Sequence, residues 1–136
     1  MAETRRVGSH ATWFEEPDVI ALRLTGPVSL EESEVLARLH EDMARGREKV
    51  FMLVDMAEFG GGTPEGRKVT GAALSRMPVQ GVAIHQAKMT ARVMAKLVLT
   101  GTRLFRKGDG FPTEFFGEEA AARVWIEERR GAAVAR

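Results

Sequence analysis

Two rhythms of apolar residues run along the chain, one of period two and one near 3.6. Residues 9–16 (SHATWFEE) and 18–25 (DVIALRLT) are short apolar stretches with Glu15-Glu16-Pro17-Asp18 as turn chemistry between them, and they predict a hairpin. Gly26-Pro27 is expected to break the second strand. Ser29 then stands three residues before Glu32, the spacing of a capping box, and Leu30, Val35, Leu36, Leu39 and Met43 recur at helical intervals until Gly46. Val50-Phe51-Met52-Leu53-Val54 is apolar on both faces, as in a buried central strand, and Asp55 closes it. Gly60-Gly61-Gly62 predicts a loop, after which Thr63 as N-cap, Pro64 at the first helical position and Glu65 in the first turn announce a helix ending near Met77. A short strand at residues 79–84, a long helix at 88–105, a strand at 113–116 and a last helix through Trp125 and Ile126 complete the pattern. The order β-β-α-β-α-β-α-β-α predicts an α/β fold: a mostly parallel sheet of about five strands, extended by an N-terminal hairpin, with about four helices.

The chain's 136 residues fit one domain, with flexible ends expected at residues 1–8 and 131–136. The absence of cysteine removes disulfides and thiolate chemistry and suits a reducing compartment. No apolar stretch follows the charged N-terminus and none reaches membrane-span length, so a cytoplasmic protein is expected, with peripheral placement at the inner membrane face left open. The net charge of +1 conceals an asymmetry. Between Gly66 and Gly108 there is no Asp or Glu, while Arg67, Lys68, Arg76, Lys88, Arg92, Lys96, Arg103, Arg106 and Lys107 supply nine cations. The molecule should therefore be polarised, with a positive middle.

The succession of Gly26 after the hairpin, Phe51-Met52-Leu53-Val54-Asp55, then Phe115-Phe116-Gly117-Glu118-Glu119-Ala120 with Trp125-Ile126, resembles the STAS fold of sulfate transporters and anti-sigma factor antagonists. More closely it resembles the bacterial SpoIIAA-like proteins of uncharacterised role. The resemblance implies a non-enzymatic binding protein. In the anti-sigma antagonists a phosphorylatable Ser opens the helix after the central strand. Here Gly60-Gly61-Gly62-Thr63-Pro64-Glu65-Gly66 offers only the hydroxyl of Thr63, with a proline beside it and a carboxylate two residues on. The phospho-switch therefore does not transfer with the fold.

Other chemistries find little support. Residues 61–68 match the glycine spacing of a phosphate loop, but Arg67 and Lys68 replace its Lys and hydroxyl, and Pro64 removes a backbone donor. What stays open is an ordinary N-capped turn or an anion-binding turn formed by Thr63, Arg67 and Lys68. His10, His40 and His85 have no ligand spacing and are expected at the surface or at strand ends. Ser75, His85 and Asp55 form a triad only on paper, without a nucleophile elbow. Neither a cofactor nor a metal is called for, and no motif supports nucleic-acid binding.

Residues 88–107 carry the strongest signal. Lys88, Arg92, Lys96, Arg103, Arg106 and Lys107 fall within one arc of about 100° on a helical projection. Met89, Val93, Met94, Leu97, Val98, Leu104 and Phe105 occupy an opposite arc of about 180°. Two functions follow. One is a docking module that meets an acidic protein or an anionic membrane through Lys88, Arg92, Lys96 and Arg103, with Thr63, Arg67 and Lys68 nearby. The other is a carrier holding a small apolar or lipid-like ligand between this helix and the sheet, against Met89, Val93, Met94, Leu97 and Phe105. The kinship of SpoIIAA-like proteins with lipid carriers leans towards the second. Homo-oligomerisation stays open.

Overall fold

The computed structural model describes residues 3–105 and 111–134, with side chains described for 3–98 and 111–131. Six strands form one sheet in sequential order: β1 (Arg5–Val7), β2 (His10–Glu15), β3 (Val19–Val28), β4 (Val50–Gly62), β5 (Val79–His85) and β6 (Thr113–Phe116). The first three pair antiparallel, and β3 through β6 run parallel. The crossovers are α1 (Leu30–Ala44), α2 (Pro64–Arg76) and α3 (Met89–Phe105), and α4 (Glu119–Val134) follows the last strand. The α/β class, the hairpin and the four helices are as the sequence pattern predicts.

Sequential winding determines the layering. Crossovers of one hand between neighbouring parallel strands all land on the same side of the sheet. Leu36, Leu74, Ala91 and Ala95, from α1, α2 and α3, accordingly share one core with Ile20, Met52, Val54, Val82 and Ile84. On the reverse face, among the described residues, α4 supplies the cover, through Ala122 and Ile126 against Val19, Phe51, Leu53 and Ala83. Charged pairs reach from α4 to the hairpin: Arg123 grips Glu15 with both terminal nitrogens, at 2.7 and 3.0 Å, and Arg130 holds the buried Asp18 at 2.6 and 3.0 Å.

The local signals at the helix starts are met. Ser29 Oγ accepts from the Glu32 N–H while Glu32 accepts from the Ser29 N–H, completing the capping box. Thr63 caps α2 by accepting from the Gly66 N–H at 2.9 Å, with Pro64 behind it.

Three expectations are corrected. Residues 5–7, taken as part of a flexible end, form β1, and α4 continues to Val134 through residues expected to fray. Gly26-Pro27 does not end β3, and Gly60-Gly61-Gly62 is strand rather than loop. Both belong to one feature. Beyond Arg23 the β3–β4 register shifts twice, and Gly26 and Pro27 lie where β2 no longer pairs with β3, so proline's missing N–H leaves no ladder bond broken. Gly60 is required opposite this bulge, since a Cβ there would stand 2.6 Å from Gly26 C and Pro27 N.

Those neighbours are backbone and cannot swing aside. Gly60→Ala should therefore lower the unfolding free energy by about 1–3 kcal/mol. Gly62→Ala, whose Cβ would meet only Val28 O at 3.9 Å, should change it little. Denaturant unfolding of the two variants checks this, and equal stability would contradict the close-approach account.

Candidate functional site

Under the three crossover helices lies a cavity of about 150 Å³ with a predominantly apolar lining. Its floor is the sheet: Leu22 and Leu24 of β3, Met52, Val54 and Met56 of β4, and Val82 and Ile84 of β5. Leu36, Ala37 and His40 of α1 form one wall, Ala73 and Leu74 of α2 another, and Met94, Ala95 and Val98 of α3 a third. The polar lining residues Ser33, Thr63, Arg67 and Thr70 come from the first two turns of α1 and α2 and their caps, beyond the carboxyl ends of β3 and β4. That end of an open parallel sheet is where such folds bind ligands.

Of the residues expected at an apolar site, Met94 lines the cavity. Met89, Val93 and Leu97 do not: they are 77%, 50% and 47% exposed. The helix is rotated relative to the expectation because its alanines face inward. Ala91 and Ala95 are buried, and Val98 and Met94 flank them, so small side chains let α3 sit close to the sheet while bulkier ones point out. The side chains of Phe105 and Arg103, and the whole of Arg106 and Lys107, lie outside the described residues.

The expected basic face also divides. Lys68, Lys88 and Lys96 are exposed. Arg92 is half-buried, with its guanidinium 5.3 Å from the Phe115 ring and Nε donating to Ala87 O at 3.2 Å. Arg67 lines the cavity and approaches Met94 Sδ at 3.5 Å, and Arg76 is held by Glu41 at 2.7 and 3.2 Å. Among the described residues, Arg67, Arg76 and Arg92 of the central window are thus engaged within the fold, and Lys68, Lys88 and Lys96 are left exposed. Thr63 and Arg67 are brought to the cavity rim, whereas Lys68 faces solvent.

His10 and His85 stand at strand ends, as expected, and His40 lies within α1; all three are buried rather than at the surface. His10 accepts the Thr25 N–H at Nδ1 and turns Nε2 towards Glu32, at 3.4 Å. His85 stands beside Asp55 in register, with Glu119 of α4 at 4.0 Å, whereas Ser75 is on α2, across the sheet, bonded to Ala72 O. The paper triad is not assembled. Among the described residues no cluster of His, Asp and Glu that could hold a metal is formed, and no helix is long and apolar enough to cross a membrane.

His40 is the site residue that the pattern failed to flag, although Leu36, His40 and Ala44 at four-residue spacing mark it as inward-facing. Its Nε2 lies 3.0 Å from Thr12 Oγ1, and Thr12 donates to Ala21 O at 2.6 Å. Burial alone pushes its pKa down to about 4, so the ring is neutral at physiological pH.

A family model described as SpoIIAA-like matches residues 19–127. The chain belongs to the SpoIIAA-like family. An uncharacterised protein of the DUF3478 family with a SpoIIAA-like fold, from Shewanella loihica PV-4, is similar in fold: TM-score 0.59, 18% identity, 93% of this chain and 92% of that one covered. No curated protein matches. In this SpoIIAA-like chain the hydroxyl of Thr63 is engaged in capping α2.

Neutral His40 gives a pH signature. Its folded pKa lies below the ordinary 6.5, so the unfolded chain binds more protons as pH falls below that value. Stability from this site is complete above about pH 6.5 and is lost towards pH 4, with ~2 kcal/mol gone between pH 7 and 5. Glu15, Glu32 and Glu41 have lowered pKa values, through hydrogen bonds from Arg123, the Ser29 backbone and Arg76 respectively, so their contributions fade only below the ordinary 4.5. Unfolding free energy measured from pH 7 to 5 should fall in the wild type and fall less in His40→Leu. Parallel curves would contradict a buried neutral histidine.

Proposed function

We propose that this SpoIIAA-like protein is a non-enzymatic carrier of a small apolar molecule, held between the crossover helices and the sheet. The supporting observation is the cavity itself: about 150 Å³, walled by aliphatic and methionine side chains. Protein interiors pack densely, and an unfilled void of this size forfeits contacts on every side. An engineered apolar cavity of similar volume binds benzene. Removing ~150–250 Å² of apolar ligand surface from water contributes ~4–6 kcal/mol, enough for a dissociation constant between roughly millimolar and tens of micromolar. Met52, Met56, Met77 and Met94 line the site, and flexible methionines adapt to differently shaped occupants.

Native mass spectrometry of protein purified gently from cells should show the chain with an added apolar mass. Val98→Phe, which places bulk at the half-buried α3 wall, should lower the occupied fraction several-fold while the fold persists. An always-empty wild type, or equal occupancy in the variant, would overturn the carrier.

A second reading has its own observation. Met89, Val93 and Leu97, four residues apart, form an exposed apolar stripe on α3, with exposed Lys88 and Lys96 beside it. Apolar side chains flanked by lysines suit insertion at an anionic bilayer surface. In this reading the protein loads or delivers its ligand at the membrane. Arg92, turned towards Phe115, is left out of the docking set. Binding to phosphatidylserine vesicles should weaken with salt, drop about fivefold for each of Lys88→Gln and Lys96→Gln, and drop in Leu97→Asn. Equal binding to purely phosphatidylcholine vesicles would exclude it.

A further inference from the structure

The hydrogen bonds of Thr12 and His40 determine which ring nitrogen of His40 carries its proton. Thr12 Oγ1 has one proton, and it donates that proton to Ala21 O at 2.6 Å. Towards His40, 3.0 Å away, Thr12 therefore accepts, and the donor is the His40 Nε2–H. A neutral imidazole carries one proton, so Nδ1 is left with its lone pair. The bond to Thr12 is the one hydrogen bond the His40 ring makes among the described residues. The ring is buried to 6% exposure and lines the cavity. An acceptor on a ring that lines a predominantly apolar chamber is costly when nothing donates to it.

We propose that His40 Nδ1 is the polar anchor of the cavity, and that the cavity takes a neutral compound of single-ring size bearing one hydrogen-bond donor, a hydroxyl on a six-carbon ring being the simplest case. This inference rests on the carrier reading and adds the chemistry of the occupant. The volume of about 150 Å³ accommodates one ring. An anionic head presented to Nδ1 would meet a lone pair rather than a proton. The Thr12–His40 bond makes Thr12 a positioning residue: it holds the tautomer without touching the ligand.

The test compares phenol, toluene and benzoate by isothermal titration and by imidazole ¹⁵N spectra of the wild-type protein. In a cavity without an acceptor, phenol binds more weakly than toluene, because its hydroxyl is desolvated unpaired. With Nδ1 available the order inverts, and phenol should bind roughly five- to tenfold more tightly than toluene. Phenol, but not toluene, should shift the Nδ1 resonance of His40. His40→Leu should still bind toluene but prefer it over phenol. Thr12→Val, which frees the tautomer and adds no bulk, should shrink the phenol preference. Toluene binding as tightly as phenol in the wild type would overturn the anchor while leaving the carrier intact. Tighter binding of benzoate than of phenol would also overturn it, moving the polar contact to Arg67 at the rim. Failure of all three compounds to bind would overturn the carrier reading, and the anchor with it.

Discussion

The constraint on which this structure depends is that a sheet wound in one direction gathers all its crossover helices on one face. With β3, β4, β5 and β6 in sequential order, α1, α2 and α3 must share a single roof. Hydrophobic burial is asymmetric in consequence. The crossover side holds the larger core, while α4 closes the other side with a few apolar contacts and the ion pairs of Arg123 and Arg130. The cavity lies beneath that roof, lined by all three helices and by β3, β4 and β5.

The disposition of α3 follows from the same packing. Ala91 and Ala95 turn inward, where small side chains allow close approach, and the larger Met89, Val93 and Leu97 are left outside. One helix thus closes the chamber with Met94, Ala95 and Val98 and presents an apolar stripe to solvent. The proposed carriage and the proposed membrane docking would in this sense use two faces of one element. The buried histidine belongs to this packing as well: a polar ring on α1, kept neutral by burial and bonded to Thr12, lines a predominantly apolar chamber.

Much of the architecture was legible in the residues because its signals are local. Ser29 with Glu32, Thr63 with Pro64 and the apolar run at residues 50–54 each act through neighbours in sequence; the two caps appear as read, and the apolar run is strand as read, although β4 continues past Asp55 to Gly62. What escaped depends on contacts between distant segments. Gly60 is a strand residue because Gly26 and Pro27 lie against it, and β1 is a strand because β2 offers Ala11 and Thr12 as partners. The face of α3 was misjudged because alanine is weakly apolar on a projection yet decisive where helix and sheet meet closely. The polar type of His40 points to the surface or a strand end, whereas its spacing from Leu36 places it inside.

The account stands on the cavity being a dry, apolar, ligand-accepting space. Crystals of the protein pressurised with xenon test this without any assumption about the natural ligand, since xenon enters apolar cavities of this size. The account predicts a xenon site between Met52, Leu74 and Val98. A cavity that excludes xenon, or that shows ordered water hydrogen-bonded throughout, would contradict it.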